Sequence, residues 1–501
     1  MFERKRDKLF VALAVLLAWI PANAFADRYH VKFSTARADD DEALRLAQVS
    51  ALLTPHRGRV QLVRAAEDSG LYNGWAGFVT SIEAVDEHGR SLELVIESPG
   101  VWRLPQHKRG EIEIRYSVNL QHDRFPNDPG DDELAYARPY GLMWSSRALF
   151  IEGAPSDDVA VEFELPDGWK ASTQWQPSDE NEWRFQPKNT DDLLNSAFMV
   201  GAHQQTTVDI GAAKALIALG PPVVKMEAVF TPLLQGFLGS YATLLQDTLT
   251  DNFLLIGGDA SFLGGGVMGR TISLSLNEDA AGQGAQLLAA YIIAHEGFHL
   301  WNSKWRIQKV SADDLEWFQE GLAEYYAFLT SLRMGLIDEP TYWGFVAERY
   351  TAYAAAFEAG DSLTSAAATK NTSATSYDLI YSGGMIALLM MDIEVRTATN
   401  SEKSLDDIVR EVHAKYSTGR ETLTLEELRK LIRVETGVDF IRLMRRNIRG
   451  SEQFDLKEAL GKLGLNLAHQ YTEQGLIVTI TELPMQSSEN TAARLDYITG
   501  Q

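Results

Sequence analysis

The chain has 501 residues, 45% of them hydrophobic, and a formal net charge of −23 at pH 7. This acidity argues against nucleic acid as a partner, and the length exceeds that of one typical domain. The sequence contains no cysteine, which excludes disulfides, thiolate metal ligands and a cysteine nucleophile, so any metal must be held by histidine and carboxylate side chains.

The first 26 residues, MFERKRDKLFVALAVLLAWIPANAFA, have the pattern of a secretory signal peptide. A basic start precedes an apolar run from Leu9 to Ile20, and cleavage is expected after Ala24 or Ala26. The apolar run is short for a membrane span, so an uncleaved anchor is the less favoured alternative. No second apolar run long enough to cross a bilayer is evident in the sequence. We therefore expect an exported protein, periplasmic or secreted, without a stable membrane span after cleavage.

Residues 27–215 are rich in short runs of β-forming residues. Examples are YHVKFS, LELVIES, EIEIRYSVNL and VAVEFELP, separated by turn clusters such as DEHG and PNDPGDD. Runs of this length between turn residues are typical of strands. The simplest arrangement of these strands is a β-sandwich-like N-terminal domain.

A glycine-rich stretch, GGDASFLGGGVMGRTISLSL, follows later in the chain. Gly264, Gly266 and Gly269 formally match G-x-G-x-x-G, but a dinucleotide site needs a helix immediately afterwards. The residues that follow, RTISLSL, alternate like a strand, so we reject a dinucleotide site. We predict instead a loop leading into an edge strand at 270–276 that could pair with an extended substrate; a plain connecting loop is the alternative.

The stretch YIIAHEGFHLWN, residues 291–302, places His295 and His299 four residues apart with Glu296 beside the first. Its surroundings are rich in Leu, Ala and Ile without proline, which predicts a helix. Residues i and i+4 share a helical face, so both imidazoles can reach one ion. Glu296 is rotated about 100° from His295 and is better placed to hold a water than to chelate. A single histidine on an apolar helix is usually a core residue, but this trio is the zinc-peptidase pattern with a carboxylate general base.

A second predicted helix, LEWFQEGLAEYYAFL, stacks Glu316, Glu320 and Glu324 at i, i+4 and i+8. Like charges at this spacing repel one another, so the stripe either faces water or lies against a cation. A catalytic zinc needs a third protein ligand, and Glu320 follows His299 by 21 residues. We interpret Glu320 as that ligand and Glu324 as an acceptor for a ligand imidazole N–H.

Helices dominate the predicted elements of residues 216–484. SLDDIVREVHAKY and TLEELRKLIRVETG begin with capping boxes, Ser404 with Asp407 and Thr424 with Glu427, and Gly437 is a C-terminal stop. Residues 485–501 form a polar tail that we expect to be loose. The predicted class is therefore α+β, a β-sandwich-like domain followed by a mainly helical one.

Three segments in order resemble one known family, the glycyl aminopeptidases among the zinc peptidases. They are HEGFHLWNSKWRI at 295–307, WFQEGLAEYY at 317–326 and YSGGMIALLMMDIEVRTATNSEKSLDDIVREV at 381–412. The resemblance implies a thermolysin-like catalytic domain over residues 216–484 and one Zn²⁺ per chain. The N-terminal half matches more loosely.

By this resemblance His295, His299 and Glu320 would be the zinc ligands and Glu296 the general base. Tyr381, which precedes a glycine-rich helix start, would donate its hydroxyl to the oxyanion. Tyr377, four residues earlier, is a weaker candidate for the same role. The substrate would be a peptide or protein cleaved at its N-terminus.

Two departures from the family pattern keep alternatives open. The family usually has a Gly-Gly-Glu-His-like stretch before the first motif, whereas this chain has Asp259 where an acidic anchor for the substrate amine might lie. Family members commonly carry a C-terminal PDZ module, and too few residues remain before Gln501 to form one. A zinc endopeptidase, or a non-catalytic binding protein with a structural zinc, are therefore the alternatives to an aminopeptidase.

Overall fold

A computed structural model describes most of the chain. The described residues are 27–35, 44–62, 74–105, 110–122, 135–179, 181–259, 264–276, 283–310, 313–357, 361–370, 373–472, 475–484 and 487–500. The predicted signal peptide, residues 1–26, lies outside them.

An eight-stranded sheet forms one layer of the N-terminal half, in the order β14-β15-β12-β1-β2-β8-β4-β5. Neighbours are antiparallel except for the parallel pair β1 and β12. The central strand β8 alternates buried and partly exposed residues along IEIRYSVN, because one face of an antiparallel sheet packs on the core while the other faces solvent. The strands are β1 Asp27–Thr35, β2 Leu44–Leu53, β4 Val79–Val85, β5 Ser91–Leu92, β8 Ile112–Asn119, β12 Val159–Glu164, β14 Gln176–Pro177 and β15 Arg184–Gln186.

Two four-stranded sheets pack against this layer, in the orders β13-β16-β10-β9 and β11-β3-β7-β6. Val31 and Ile114 of the large sheet share one buried core with Trp144 of the first smaller sheet and Trp102 of the second. The N-terminal half is therefore β-rich and sandwich-like, as predicted. The strands of the smaller sheets are β3 Arg59–Leu62, β6 Val95–Ser98, β7 Val101–Arg103, β9 Ala135–Arg138, β10 Gly141–Ser145, β11 Ile151–Glu152, β13 Lys170–Ser172 and β16 Ala197–Gly201.

A five-stranded sheet, in the order β17-β18-β19-β21-β20, links the two halves. Its strands are β17 Gln204–Ile210, β18 Ala213–Leu219, β19 Phe253–Asp259, β20 Gly264–Met268 and β21 Thr271–Leu276. Met143 and Met199 of the N-terminal half pack on Ile256 of this sheet. The predicted boundary at 215/216 falls inside β18, which pairs in parallel with β19. Alternation along β17 and β18 identifies them as strands but does not show which sheet they join.

The predicted edge strand is wrong in its position. β21 covers most of 270–276 but lies between β19 and β20, and the edge of the sheet is β20. Gly264 and Gly266 lie in β20, and Gly269 is followed by β21, so a strand follows these glycines as predicted, and not the helix that a dinucleotide fingerprint needs. Alternation of apolar and polar residues identifies a strand, but it does not show whether that strand lies at the edge or in the interior of the sheet.

Helices predominate in the C-terminal half of the chain, and one short helix lies in the N-terminal half. Those in the described residues are α1 Thr190–Leu194, α2 Glu227–Leu245, α3 Gln283–Asn302, α4 Glu316–Arg333, α5 Glu339–Phe357, α6 Leu363–Ala366, α7 Ala374–Asp378, α8 Gly384–Thr399, α9 Leu405–Tyr416, α10 Leu425–Thr436, α11 Ile441–Leu443, α12 Leu456–Lys462 and α13 Ser488–Thr499. α1 packs in the core of the N-terminal half through Leu193 and Leu194. Most of the other helices pack around one large apolar core that also includes one face of the five-stranded sheet. The α+β class is confirmed.

The predicted helix starts and stop agree with the structure. The backbone N–H of Ser404 donates to Asp407 at 2.9 Å at the start of α9, and Thr424 accepts from the backbone N–H of Glu427 at 3.1 Å at the start of α10. Gly437 ends α10 with a φ of 76°, a backbone conformation that favours glycine.

The C-terminal region differs from the prediction in two respects. A hairpin of β22 Leu465–Thr472 and β23 Gly475–Glu482 lies among the helices. The tail expected to be loose carries α13, whose Tyr497 is fully buried and stacks on Trp343 of α5. Ala493 and Ile498 of the same helix also pack against the core, so a few apolar side chains dock this short helix, although the overall composition of the segment is polar.

One helical segment of the described chain, residues 221–245, has the length and composition of a membrane span. The sequence prediction of no further apolar run of that length therefore missed this segment. Buried core helices of soluble proteins meet the same criteria. Here Phe230, Leu234 and Phe237 are buried in the apolar core of the helical half, which accounts for the composition of α2.

Candidate metal and catalytic site

The two histidines of α3 face the same point. Their Nε2 atoms lie 3.2 Å apart, and both side chains are buried. α4 crosses α3 so that Glu320 Oε2 lies 3.4 Å from Nε2 of His295 and 3.2 Å from Nε2 of His299. The structure therefore brings together the three predicted ligands, which come from two helices.

The triangle of donor atoms fits a tetrahedral metal ion. In tetrahedral zinc sites with bonds of about 2.0–2.1 Å to nitrogen and oxygen, neighbouring donors lie about 3.3 Å apart. The three distances here are 3.2, 3.2 and 3.4 Å. Glu320 Oε2 is buried and has no hydrogen-bond partner among the described residues, which is costly unless a cation or proton is shared there. His295, His299 and Glu320 could therefore hold one divalent ion.

Electrostatics in this group favour positive charge. Burial alone would lower the pKa of His295, but the carboxylates of Glu320 and Glu324 outweigh it and raise the pKa to about 10. Burial opposes ionisation of Glu320, yet His299 and Lys370 lower its pKa well below the usual value. The carboxylates of Glu320, Glu324 and Glu296 thus surround the two imidazoles and make the site attractive to a cation.

The far nitrogen of each imidazole faces an acceptor. Nδ1 of His299 donates to Oδ1 of Asn302 at 2.7 Å, and the amide of Asn302 donates to the backbone oxygen of Gln319 at 2.9 Å. Nδ1 of His295 lies 3.3 Å from Oε1 of Glu324, the residue predicted for this position. Since Nδ1 of each ring faces an acceptor, Nε2 of each ring is left to face Glu320.

Glu324 is itself held by residues that sequence reasoning missed. Its second oxygen forms an ion pair with Nε of Arg349 at 2.9 Å, and the hydroxyl of Tyr291 donates to its first oxygen. The guanidinium of Arg349 also donates to the Tyr291 hydroxyl at 3.1 Å. Tyr291 lies one helical turn before His295, so the sequence could have placed it on the same face of α3. Arg349 comes from α5, and no sequence pattern near it indicates a contact with Glu324.

The glutamate stripe on α4 is buried, and a cation contacts each of its members. Exposure of Glu316, Glu320 and Glu324 is only 7%, 8% and 1%, which excludes the solvated alternative. Lys309 lies 3.1 Å from Glu316, and Lys370 contacts Glu316 and lies 3.0 Å from Glu320. The like charges that would destabilise an isolated helix are therefore balanced in the folded protein.

Glu296 lies beside the ligand triangle without belonging to it. Its side chain is only partly buried, unlike those of His295 and His299. Burial raises the pKa of Glu296, the two imidazoles oppose that rise, and Glu320 adds to it. A carboxylate with a raised pKa in such a place is suited to accept a proton near neutral pH.

Tyr381 lies next to the histidines in a π-helical turn, Leu379–Gly383, between α7 and α8. Its ring lies 5.7 Å from that of His295 at an angle of 21°, and Tyr377 stacks on its other side at 4.1 Å. Burial, with Glu320 nearby, raises the pKa of the Tyr381 hydroxyl well above its usual value, so the hydroxyl keeps its proton. Turns of this kind are frequent at functional sites.

Two glycines bring this turn close to the ligand helix. A Cβ on Gly384 would lie 2.2 Å from the backbone oxygen of Trp317, and one on Gly321 would lie 2.5 Å from the carbonyl carbon of Gly384. α8 can therefore cross α4 only because neither residue has a side chain. Since Gly321 follows Glu320 and Gly384 follows Tyr381 by three residues, the contact fixes Tyr381 relative to Glu320, the predicted third ligand.

Asp259, the candidate anchor for a substrate amine, is already engaged. It accepts a hydrogen bond from Tyr140, and its carboxylate lies 3.5 Å from Nε of Arg138. Both partners belong to the N-terminal half of the chain, and no sequence pattern indicated that they contact Asp259. The structure therefore assigns Asp259 to the contact between the two halves and gives no support to its role as a free acidic anchor.

Family models match two parts of the chain. The model described as the peptidase M61 N-terminal domain matches residues 29–202, and the model described as M61 glycyl aminopeptidase matches residues 289–383. Together the two matches span more than half of the sequence and include all six predicted site residues. No sequence among curated proteins matches significantly.

Solved structures with a similar fold are distant in sequence. An aminopeptidase N family protein from Idiomarina loihiensis has a TM-score of 0.76 at 17% identity, over 92% of this chain and 82% of that one. An M1 zinc metallopeptidase from Deinococcus radiodurans has a TM-score of 0.52 at 14% identity, over 86% of this chain and 95% of that one. These likenesses show a shared fold. The family itself rests on the two M61 models, which together match more than half of the sequence, and the chain belongs to the M61 glycyl aminopeptidase family of peptidases.

Proposed function

We propose that this protein is an exported zinc-dependent aminopeptidase, which hydrolyses the first peptide bond of peptides or proteins. The observation that carries the proposal is the convergence of His295 Nε2, His299 Nε2 and Glu320 Oε2, with Glu296 beside them. The family match adds the expectation of cleavage at N-termini. The zinc metallopeptidases among the structural neighbours favour zinc as the ion.

The proposed mechanism divides the chemistry between the ion and the chain. A bound zinc would lower the pKa of a coordinated water and polarise the scissile carbonyl. The Glu296 carboxylate takes the proton of the attacking water and passes it to the leaving amine. The Tyr381 hydroxyl, kept protonated by burial, donates a hydrogen bond to the carbonyl oxygen as negative charge develops on it.

Edge strand β20 is the element we propose to hold the substrate backbone. A Cβ on Gly265 would lie 2.3 Å from Cγ2 of Ile292, so the strand runs directly against α3, three residues before His295. Its outer edge is not paired with another strand of the described sheet, and an extended peptide can add to such an edge. Ile292 lies one helical turn before Glu296, so we expect a peptide bound there to pass near Glu296.

The aminopeptidase proposal is tested by the products from a peptide library with free and acetylated N-termini. We expect mass spectrometry to show loss of one N-terminal residue from the free peptides and at least a tenfold slower reaction of the acetylated set, about the 1.4 kcal/mol that such a ratio represents. A chelator should stop the reaction and added zinc should restore it.

The alternative, a zinc endopeptidase, has one observation in its favour, because Asp259 is paired with Tyr140 and Arg138. Equal cleavage of acetylated and free peptides, or cleavage at internal bonds, would replace the aminopeptidase proposal with this one. Zinc dependence without any hydrolysis would instead favour a binding protein.

Export is proposed from residues 1–26 alone. Cleavage after Ala24 or Ala26 would leave β1, which begins at Asp27, complete. Intact-mass measurement of protein recovered from the periplasm or medium of a Gram-negative host should therefore give an N-terminus at Phe25 or Asp27. Recovery of the full-length chain in the membrane fraction would show an uncleaved anchor instead.

A further inference from the structure

Lys370 is a buried cation beside the proposed metal ligands. It follows α6 and a short 3-10 turn, and only 18% of its side chain is exposed. Its ammonium lies 3.0 Å from Oε1 of Glu320, contacts Oε1 of Glu316, and lies 5.7 Å from the centre of the Tyr381 ring. One side chain thus contacts the third ligand and also lies near the proposed oxyanion donor.

The two oxygens of Glu320 have different partners. Oε1 accepts from Lys370, whereas Oε2 faces the two imidazoles and has no hydrogen-bond donor among the described residues. A carboxylate can bind a cation through one oxygen or through both. Catalytic zinc sites combine three protein ligands with an open position for water or substrate, and a second carboxylate oxygen would compete for that position.

We propose that Lys370 is a positioning residue that keeps Glu320 a one-oxygen ligand and so preserves the open coordination position. This inference rests on the proposed function of His295, His299 and Glu320 as metal ligands. The hydrogen bond to Oε1 holds the carboxylate in the rotamer that points Oε2 at the imidazoles. The positive charge of the same ammonium partly neutralises the Glu320 carboxylate, and so reduces the electron density that Glu320 would donate to a bound ion.

A positioning role and a merely structural role predict different effects on ligand geometry and turnover. If Lys370 only relieved repulsion between Glu316 and Glu320, its loss would lower the stability of the metal-free protein and leave the ligand geometry of the loaded protein unchanged. In either role, removing one positive charge near the ion should leave metal affinity equal or higher, because a cation then meets less repulsion. If Lys370 positions Glu320, the ligand geometry should change and turnover should fall, because the open position becomes obstructed.

The experiment compares Lys370→Met with wild type in the cobalt-substituted protein. We expect the visible absorption of Co²⁺ to weaken, as it does when coordination number rises, and kcat to fall about 10–100-fold with KM nearly unchanged. Lys370→Arg, which keeps the charge and the donors, should restore most of both. Lys309→Met is the matched control, since Lys309 contacts Glu316 but is 64% exposed and has no contact with Glu320.

The outcomes separate the inference from the function it rests on. Absence of stoichiometric Co²⁺ binding by wild type would overturn the metal site itself. Normal binding by wild type, with an unchanged spectrum and kcat in Lys370→Met, would overturn only the role of Lys370, as would equal effects of Lys309→Met. If Lys370→Met does not fold, Lys370→Gln is measured in its place and judged by the same spectrum and kcat.

Discussion

Replacement of Glu296 by glutamine should lower kcat by about 10²–10⁴ while zinc stays bound, because general-base catalysis contributes about that factor. Glutamine has nearly the same size and can still hydrogen-bond to water, but it cannot accept the proton. Glu296 lies outside the triangle formed by His295, His299 and Glu320, so the ligand set is intact in the variant. Steady-state kinetics with elemental analysis of the same sample measures both quantities.

Glu324→Gln is a useful control for the Glu296 substitution. Glu324 lies on the far side of His295, where Oε1 is 3.3 Å from Nδ1, and is paired with Arg349. We expect this variant to weaken metal retention or activity by about 10–100-fold, as other losses of a partner to a ligand do, and zinc added in excess should recover part of the activity. Turnover of Glu296→Gln within tenfold of wild type would remove Glu296 as the base.

The sequence predicted those parts of the site in which the relative positions of the side chains depend on their spacing within a single helix. His295, Glu296 and His299 are readable because spacing on α3 fixes their relative directions. Glu320 needed the added argument that a third ligand was lacking and that a charged stripe needs a cation. Its partner Lys370 could not be found in this way, because it lies 50 residues further along the chain in a segment of small and polar residues.

The remaining errors of the sequence predictions share one physical cause. The pattern of residues within a segment does not show which distant segment it pairs with in the folded chain. Alternation marked 270–276 as a strand, but a shorter glycine-rich segment, 264–268, adds outside it and becomes the edge. Asp259 looked like a free anchor because Tyr140 and Arg138 reach it from another part of the chain. In each case the local feature was identified correctly, a strand at 270–276 and an acidic side chain at Asp259. The sequence did not show which other part of the chain packs against it.

Substitution of Tyr381 by phenylalanine should reduce kcat by about 10²–10³ with little change in KM, the size of effect known for loss of one oxyanion donor. The hydroxyl contributes mainly in the transition state, when the carbonyl oxygen becomes negative, so substrate binding should change little. The ring stays in place, because phenylalanine keeps the stacking on His295 and Tyr377. Initial rates over a range of substrate concentrations give kcat and KM separately.

Tyr377→Phe is the matched control, since the two tyrosines stack on each other and lie one turn apart. Tyr377 is 46% exposed, and water can replace a hydrogen bond that its hydroxyl makes, so we expect its loss to change kcat only a few-fold, as for other solvent-accessible groups. A reversed ranking would move the oxyanion role to Tyr377. Similar large losses in both would mean that the stacked pair acts as a unit, and the double variant would then lose no more than either single one.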